Sequence, residues 1–442
     1  MQNSALSQYN DLYVRVLVLT LMAYAFLGKG FAYIGLPPFY MGEIILLLGL
    51  IAFLLSGCWL AIFTSFPSIV LSLLLVWVLA RSIPYFSQYG FDSLRDSVVV
   101  TYSVFSFIVI ALLIEKPARF TIILRGLSRA LFWFCPIAVI AYCITRIHGM
   151  SVVTWPLSPP RLIEVRPGEI AVHLAGAASL ALVGIMRVNK AWIVALLLGM
   201  GLIATQSRGG TLAFLAATSF AAVLMQKYRT IFWIISLIFM TLSITYVFDA
   251  KVNFKSDEGD RSLSSRQIVD NFTSIFKSSK QGNLDDNKYW RLNWWSDIRE
   301  YTLHGPYFWT GKGFGVNLSV SDGYYADSSD GAPPLRSPHN AHMTILARAG
   351  VPGITLWLTL GLSWYALMVR NIYIGRIRCD QAWLRLFIFI TAYTSALIIN
   401  ASFDVALEGP MLGIWFWFLL GMGIASSVIY QTQLWKPAED AY

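Results

Sequence analysis

Charge is scarce in this chain. Asp, Glu, Lys and Arg make up 13% of its 442 residues, against 57% hydrophobic ones, whereas a soluble globular domain carries about 25% charged residues. With a mean hydropathy of +0.61, most of the chain is suited to lipid. Cysteine is also rare. Cys58, Cys135, Cys143 and Cys379 lie in or beside apolar segments without a C-x-x-C pair or secreted-type spacing, which excludes a disulfide framework and reads as inert core thiols. No G-x-x-x-x-G-K-[ST] loop occurs, so no nucleotide is bound in that way, and no G-x-S-x-G nucleophile elbow is present. The net charge is +9, yet the basic residues are scattered through short loops and form no stripe with interleaved aromatics. Nucleic acid is therefore not the expected partner. The start, "MQNSALSQYNDLYVRV", lacks a basic leader segment, and the first apolar run reads as a retained span rather than a signal peptide.

What is abundant is long apolar runs. Crossing the hydrocarbon takes about 20 residues, and such runs fall near 12–28, 41–57, 66–83, 96–115, 128–146, 168–187, 190–206, 210–226, 230–248, 351–369, 382–402 and 410–431. The pattern predicts an all-α polytopic membrane protein of about twelve transmembrane helices. Its expected divisions are 1–248 (spans one to nine), 249–338 (a polar insert) and 339–442 (spans ten to twelve). No internal repeat and no inverted pair of broken helices, as in transporters, is evident.

Lysine and arginine set the orientation. With the N-terminus inside, one set of loops carries Lys116, Arg119, Arg125, Arg129, Arg187, Lys190, Lys227, Arg229, Arg370, Arg376 and Arg378. The other set carries fewer: Lys29, Arg81, Arg95, Arg146, Arg161, Arg166 and Arg208. Both termini are then expected in the cytoplasm and the insert outside, which in a two-membrane bacterium is the periplasm. The insert holds Trp290, Trp294, Trp295, Trp309 and the turn "GKGFG" (Gly311 to Gly315), predicting a folded, mostly helical cap. "SDGYYADSSDGAPP" (Ser321 to Pro334) reads as a loop.

Four stretches could carry chemistry. In "TQSRGGT", Arg208 stands between two apolar runs. An arginine near membrane depth is costly unless it meets an anion or water, and Gly209 and Gly210 would let backbone N–H groups approach the same anion; an interfacial arginine snorkelling to headgroups fits equally. In "NKYWRLNWW", Arg291 among three tryptophans suits a guanidinium reaching a phosphate or sugar, or a surface arginine on an interfacial helix. "SPPRLIEVRPGEI" places Arg161 and Arg166 on the outer side, where ordinary loop charges are the plainer account. In "LRSPHNAH", Ser337 is expected to cap a helix with Pro338 in its first turn and His339 at its positive end. That end favours an anion and a neutral imidazole able to take a proton, although a histidine there also serves as a polar cap. His342 completes an H-x-x-H pair, but no carboxylate or cysteine nearby in sequence supplies a third metal ligand, so no metal is assigned. Asp285, Asp286, Asp322, Asp327 and Asp330 read as solvated loop charges rather than paired catalytic acids.

Taken in order, "QSRGG", "YWRLNWW", "GKGFG" and "HNAHMTILARAGVPG" resemble the O-antigen ligase and polymerase superfamily of bacterial inner-membrane proteins. The matching positions are Ser207, Arg208 and Gly209; Arg291 and Trp295; Gly311, Gly313 and Gly315; and His339, Asn340, Gly350 and Gly353. Each motif is weak alone; their order and spacing are specific. The resemblance implies a helical architecture with a periplasmic cap, similar to the lipid-glycan transferases, and a glycosyltransferase using an undecaprenyl-diphosphate-linked glycan. In the ligase reading the acceptor is the lipid A–core oligosaccharide; in the polymerase reading it is another lipid-linked repeat. Protein O-oligosaccharyltransferases of the superfamily often carry a C-terminal extension, disfavoured here by the end at "QLWKPAEDAY". His339 is then the expected general base, with Arg208 and Arg291 on the diphosphate and Arg161, Arg336 and Asn340 as further substrate contacts. Partners are membrane lipids, donor and acceptor, with no nucleotide or other cofactor. The rival from another class is a lipid-linked sugar transporter or flippase, which would share the basic cavity without needing a deprotonating histidine.

Overall fold

The computed structural model describes residues 4–147, 162–229, 232, 236, 251–254, 261–264, 282–324 and 336–433. Helices dominate. They are α1 (Ser4–Leu27), α2 (Lys29–Ala32), α3 (Met41–Leu55), α4 (Phe66–Tyr89), α5 (Phe91–Thr101), α6 (Val104–Glu115), α7 (Arg119–Ile147), α8 (Pro167–Val183), α9 (Lys190–Ala204), α10 (Arg208–Leu224), α11 (Gly282–Arg299), α12 (Leu318–Ser321), α13 (Ala341–Ile377), α14 (Gln381–Ala401) and α15 (Pro410–Thr432). Among the described residues six helices are long and apolar enough to cross a membrane, or seven if the bent pair α5 and α6 counts as one span. Helices α3, α8, α9 and α10 have 15–17 residues, about 22–26 Å at 1.5 Å per residue, short of a ~30 Å hydrocarbon core. Eleven of the twelve expected runs are thus helical, though not all reach full span length. The run 230–248 lies outside the described residues except for two positions.

The polar insert is not purely helical. A short antiparallel pair, β1 (Gly35–Leu36) with β2 (Phe39–Tyr40), links α2 to α3, and a second, β3 (Lys251–Phe254) with β4 (Arg261–Ser264), lies within the insert. Helices α8, α14 and α15 form the interior, with buried faces all round, as expected of helices apolar on every side. Helices α3 and α4 turn Ile44, Leu47, Ile51, Leu73 and Val76 outward. Of the cysteines, Cys135 is buried, Cys58 half-buried and Cys379 exposed, so Cys379 departs from the expectation of a core thiol; Cys143 carries no described side chain.

Two helical paths in the bundle are interrupted. One interruption is the 43° bend between α5 and α6. The other is at Gly350, whose φ of +68° breaks α13. Pro352 has no N–H to offer the Arg348 carbonyl, and the "GKGFG" turn docks there. Gly313 N–H donates to the Arg348 carbonyl and Lys312 N–H to the Ala347 carbonyl, while Val351 N–H turns to the Phe308 carbonyl. The Ala349 carbonyl accepts from the Trp77 indole. The bonds a straight helix would have made are replaced from outside, which makes the break affordable.

Candidate active site

The mouth of the bundle is built around the connection between α14 and α15. The N-termini of α8 and α10 and the first turn of α13 converge on it. Ser207 caps α10 by accepting from Gly210 N–H. A Cβ on Gly209 would lie 2.8 Å from Phe403 Cβ, and one on Gly210 would lie 2.8 Å from Ala171 Cβ. The two glycines therefore let α10 close on α8 and on the connection. With its N–H given to Ser207, Gly210 does not present the anion-binding amide expected from the sequence. Arg208 opens the helix beside this contact.

Arg291, on α11, donates from Nη1 to the Phe403 carbonyl at 2.9 Å. Burial lowers its guanidinium from the usual value while Asp404 opposes the shift; an arginine stays charged throughout. One turn on, Trp295 donates its indole N–H to the Pro338 carbonyl at 2.8 Å. The R-x-x-x-W spacing thus places one side chain on the connection and the other on the residue before His339.

His339 does not sit in a first helical turn. The cap is Asn340, whose Oδ1 accepts from His342 and Met343 N–H, and neither Ser337 nor Pro338 belongs to the helix. His339 precedes the cap at φ +52°, a left-handed conformation uncommon for a residue with a Cβ and often found where function fixes the backbone. Its Nδ1 lies 3.5 Å from Asp404 Oδ1, longer than the about 2.7–3.2 Å of a well-formed hydrogen bond. The same carboxylate oxygen is 3.6 Å from Arg166 Nη1. Burial alone would raise the Asp404 carboxyl; the adjoining His339 and Arg166, with the Val405 N–H it accepts from at 2.8 Å, outweigh it and hold the group below its ordinary value of 3.8.

The connection therefore gathers Arg166, Arg291, His339 and Asp404, with Phe403 against the residue following Arg208. Asp404 was missed by sequence reasoning. The available signal was "NASFDVALEGP", a polar break placing two carboxylates between apolar runs. Arg166 rather than Arg161 is the described arginine of its loop, since Arg161 lies outside the described residues.

Arg336 has a different setting. It donates to Asp96 from Nε at 3.3 Å and Nη2 at 2.8 Å, donates to the Gly315 carbonyl at 2.9 Å, and places Nη1 3.3 Å from Asp92. Burial lowers this guanidinium, but Asp96 and Asp92 more than compensate and raise it. Buried Arg348 reaches the same Asp96 at 3.0 Å. Arg336 thus ties the segment before His339 to α5. Asp322 corrects the reading of solvated acids. It is buried, accepting from Lys312 at 2.5 Å, the Trp294 indole at 2.6 Å and the Tyr301 hydroxyl at 3.2 Å. Asp285 and Asp286 fall in α11 without described side chains, and Asp327 and Asp330 lie outside the described residues.

His342 is not placed as a partner to His339. Its Nδ1 accepts from the Trp357 indole at 2.9 Å and its Nε2 meets Ser402 Oγ at 3.0 Å. Among the described residues no three His, Cys, Asp or Glu side chains gather as metal ligands do.

A family model described as O-antigen ligase covers residues 193–358, a range containing every one of the four motifs and ending past the Gly350 break. The match supports membership of the O-antigen ligase/polymerase superfamily. Together with the six or seven candidate spans it supports a polytopic helical membrane protein and, more coarsely, a transferase. Arg166, Asp404 and Ser402 lie outside the matched range and are brought to its motifs by the fold alone. No curated protein sequence matches the chain.

Proposed function

We propose that this protein is an O-antigen ligase, joining an undecaprenyl-diphosphate-linked O-antigen to the lipid A–core oligosaccharide at the periplasmic face of the inner membrane. The observation that supports this most is the meeting of His339, Asp404, Arg166 and Arg291 on one short connection, with α10 packed against it at Gly209.

The chemistry needs little more. A sugar hydroxyl of the acceptor attacks the anomeric carbon of the donor, and the carbon–oxygen bond to the diphosphate breaks. The hydroxyl proton passes to His339 Nε2, while Asp404 beside Nδ1 orients the ring and balances the imidazolium that forms. The leaving diphosphate takes the bonding electrons, and Arg166, Arg208 and Arg291 stabilise the growing charge through charge-assisted hydrogen bonds. A single displacement inverts the anomeric centre. With guanidinium groups supplying the positive charge, no step calls on a metal. Lysine and arginine counts put both termini in the cytoplasm and this mouth outside.

Purified protein in lipid nanodiscs, supplied with lipid-linked O-antigen and lipid A–core, tests the reading. Capped core should form without chelator-sensitive metal. His339→Ala should reduce kcat by about 10²–10⁴-fold, the usual contribution of a general base, while donor binding persists. Lengthening of the lipid-linked glycan with the core left bare would make the protein a polymerase instead. Undiminished transfer by His339→Ala would remove the base and favour a carrier of lipid-linked sugars.

A further inference from the structure

His342 and Trp357 belong to one helix, 15 residues apart. Along an unbroken α-helix that separation is about 22 Å, too far for the two side chains to touch. Their 2.9 Å hydrogen bond therefore exists only because α13 breaks at Gly350 and its first nine residues fold back against the continuing span. Trp357 is itself held in the interior, with its ring 5.8 Å from Phe416 and 6.0 Å from Trp417.

The hydrogen-bond directions around His342 are fixed. An indole N–H can only donate, so Nδ1 must be the bare acceptor and Nε2 must carry the hydrogen. Nε2–H then donates to Ser402 Oγ at 3.0 Å, and the Ser402 hydroxyl passes its own hydrogen to the Ile398 carbonyl at 2.9 Å. A ring used in this way has no site left for an acceptor proton. Its two neighbours along the chain explain its use. His342 lies three residues after His339, and Ser402 lies two residues before Asp404.

We infer that His342 is a positioning residue, a neutral pin through which Trp357 and Ser402 hold the folded-back segment of α13 against the α14–α15 connection and so set the spacing of His339 and Asp404. The inference rests on the proposed roles of those two residues. The sequence presents His342 as half of an H-x-x-H pair; the structure uses it to support the other half. Misplacement of reacting groups by about 1 Å costs as much as 10²-fold in rate, so a loosened pin is expressed in turnover rather than in substrate binding.

Kinetics of variants, with nitrogen NMR of the wild-type protein in nanodiscs, test this. His342→Leu and Ser402→Ala should each lower kcat by about 10–100-fold with KM little changed. The double variant should be no worse than the poorer single one, because both remove one link. His342→Gln, whose amide N–H can still reach Ser402, should recover most of the loss. Losses that multiply in the double variant, or a His342→Gln enzyme as inactive as His339→Ala, would overturn the pin. The NMR readout needs no reaction and no stable variant: histidine nitrogen shifts should report His342 as the Nε2–H form, and the Nδ1–H form would refute the inference. Loss of the ligase reading is separately visible, as undiminished transfer by His339→Ala.

Discussion

Asp404 carries two consequences at the level of single residues. Its carboxylate faces His339 and Arg166, so Asp404→Asn keeps the shape and removes the charge. Transfer is expected to fall by about 10–100-fold, as for a misdirected base, with donor affinity retained or improved because a negative charge has left a diphosphate site. Turnover and donor titrations in parallel would check this. The second consequence is acid sensitivity. The group is held below its ordinary value of 3.8, so the folded state binds fewer protons than the unfolded chain near that pH. Its contribution to stability is then complete above 3.8 and is lost as pH falls through the lowered folded value. Melting curves from pH 6 down to about 3 should lose less in Asp404→Asn than in the wild type. His339 and Arg291 were legible as residues because their types are costly in a greasy chain. Asp404 was not, because it stands 65 positions from His339 and no local pattern links them.

Among the elements, the "GKGFG" turn and the break in α13 form one unit. A Cβ on Gly311 would come within 2.4 Å of the Arg348 carbonyl carbon, backbone against backbone, where neither side can yield. Gly323 has a comparable φ of +78° but nothing within 4 Å of its missing Cβ. Gly311→Ala should therefore destabilise the protein by about 1–3 kcal/mol from overpacking, in addition to the φ cost both share. Gly323→Ala bears that φ cost alone. Comparing the two thermal midpoints isolates the docking contact. The sequence announces a turn at these glycines and a boundary near Pro352. That the one satisfies the carbonyls freed by the other is a pairing across about forty residues, which no periodicity encodes.

For the molecule as a whole, the two ends of the bundle differ. The mouth lies at one end. At the other, buried Arg119 bonds Asp11 at 2.8 Å and Glu115 at 2.7 Å, and Lys116 reaches Asp11 at 2.6 Å, tying α1 to α6 and α7. Cys379 is exposed just beyond the C-terminus of α13, the far end from His339. A variant retaining only this cysteine should resist a membrane-impermeant maleimide in intact spheroplasts and react after lysis. A cysteine placed at exposed Val320 in the cap should react in both. The reverse pattern would turn the mouth to the cytosol and end the periplasmic reading.

The sequence by itself determined that the chain is helical and membrane-embedded, where most helices lie, and which histidine and arginines are chemically out of place, because hydropathy, length and local motifs are properties of neighbouring residues. Only the tertiary structure decided that Asp404 and Arg166 join them, that Arg336 is committed to Asp92 and Asp96, that Asp322 is buried, and that His342 bonds Trp357 and Ser402. Each of these depends on which polar groups find partners once water is excluded, and those partners come from helices far apart in the chain.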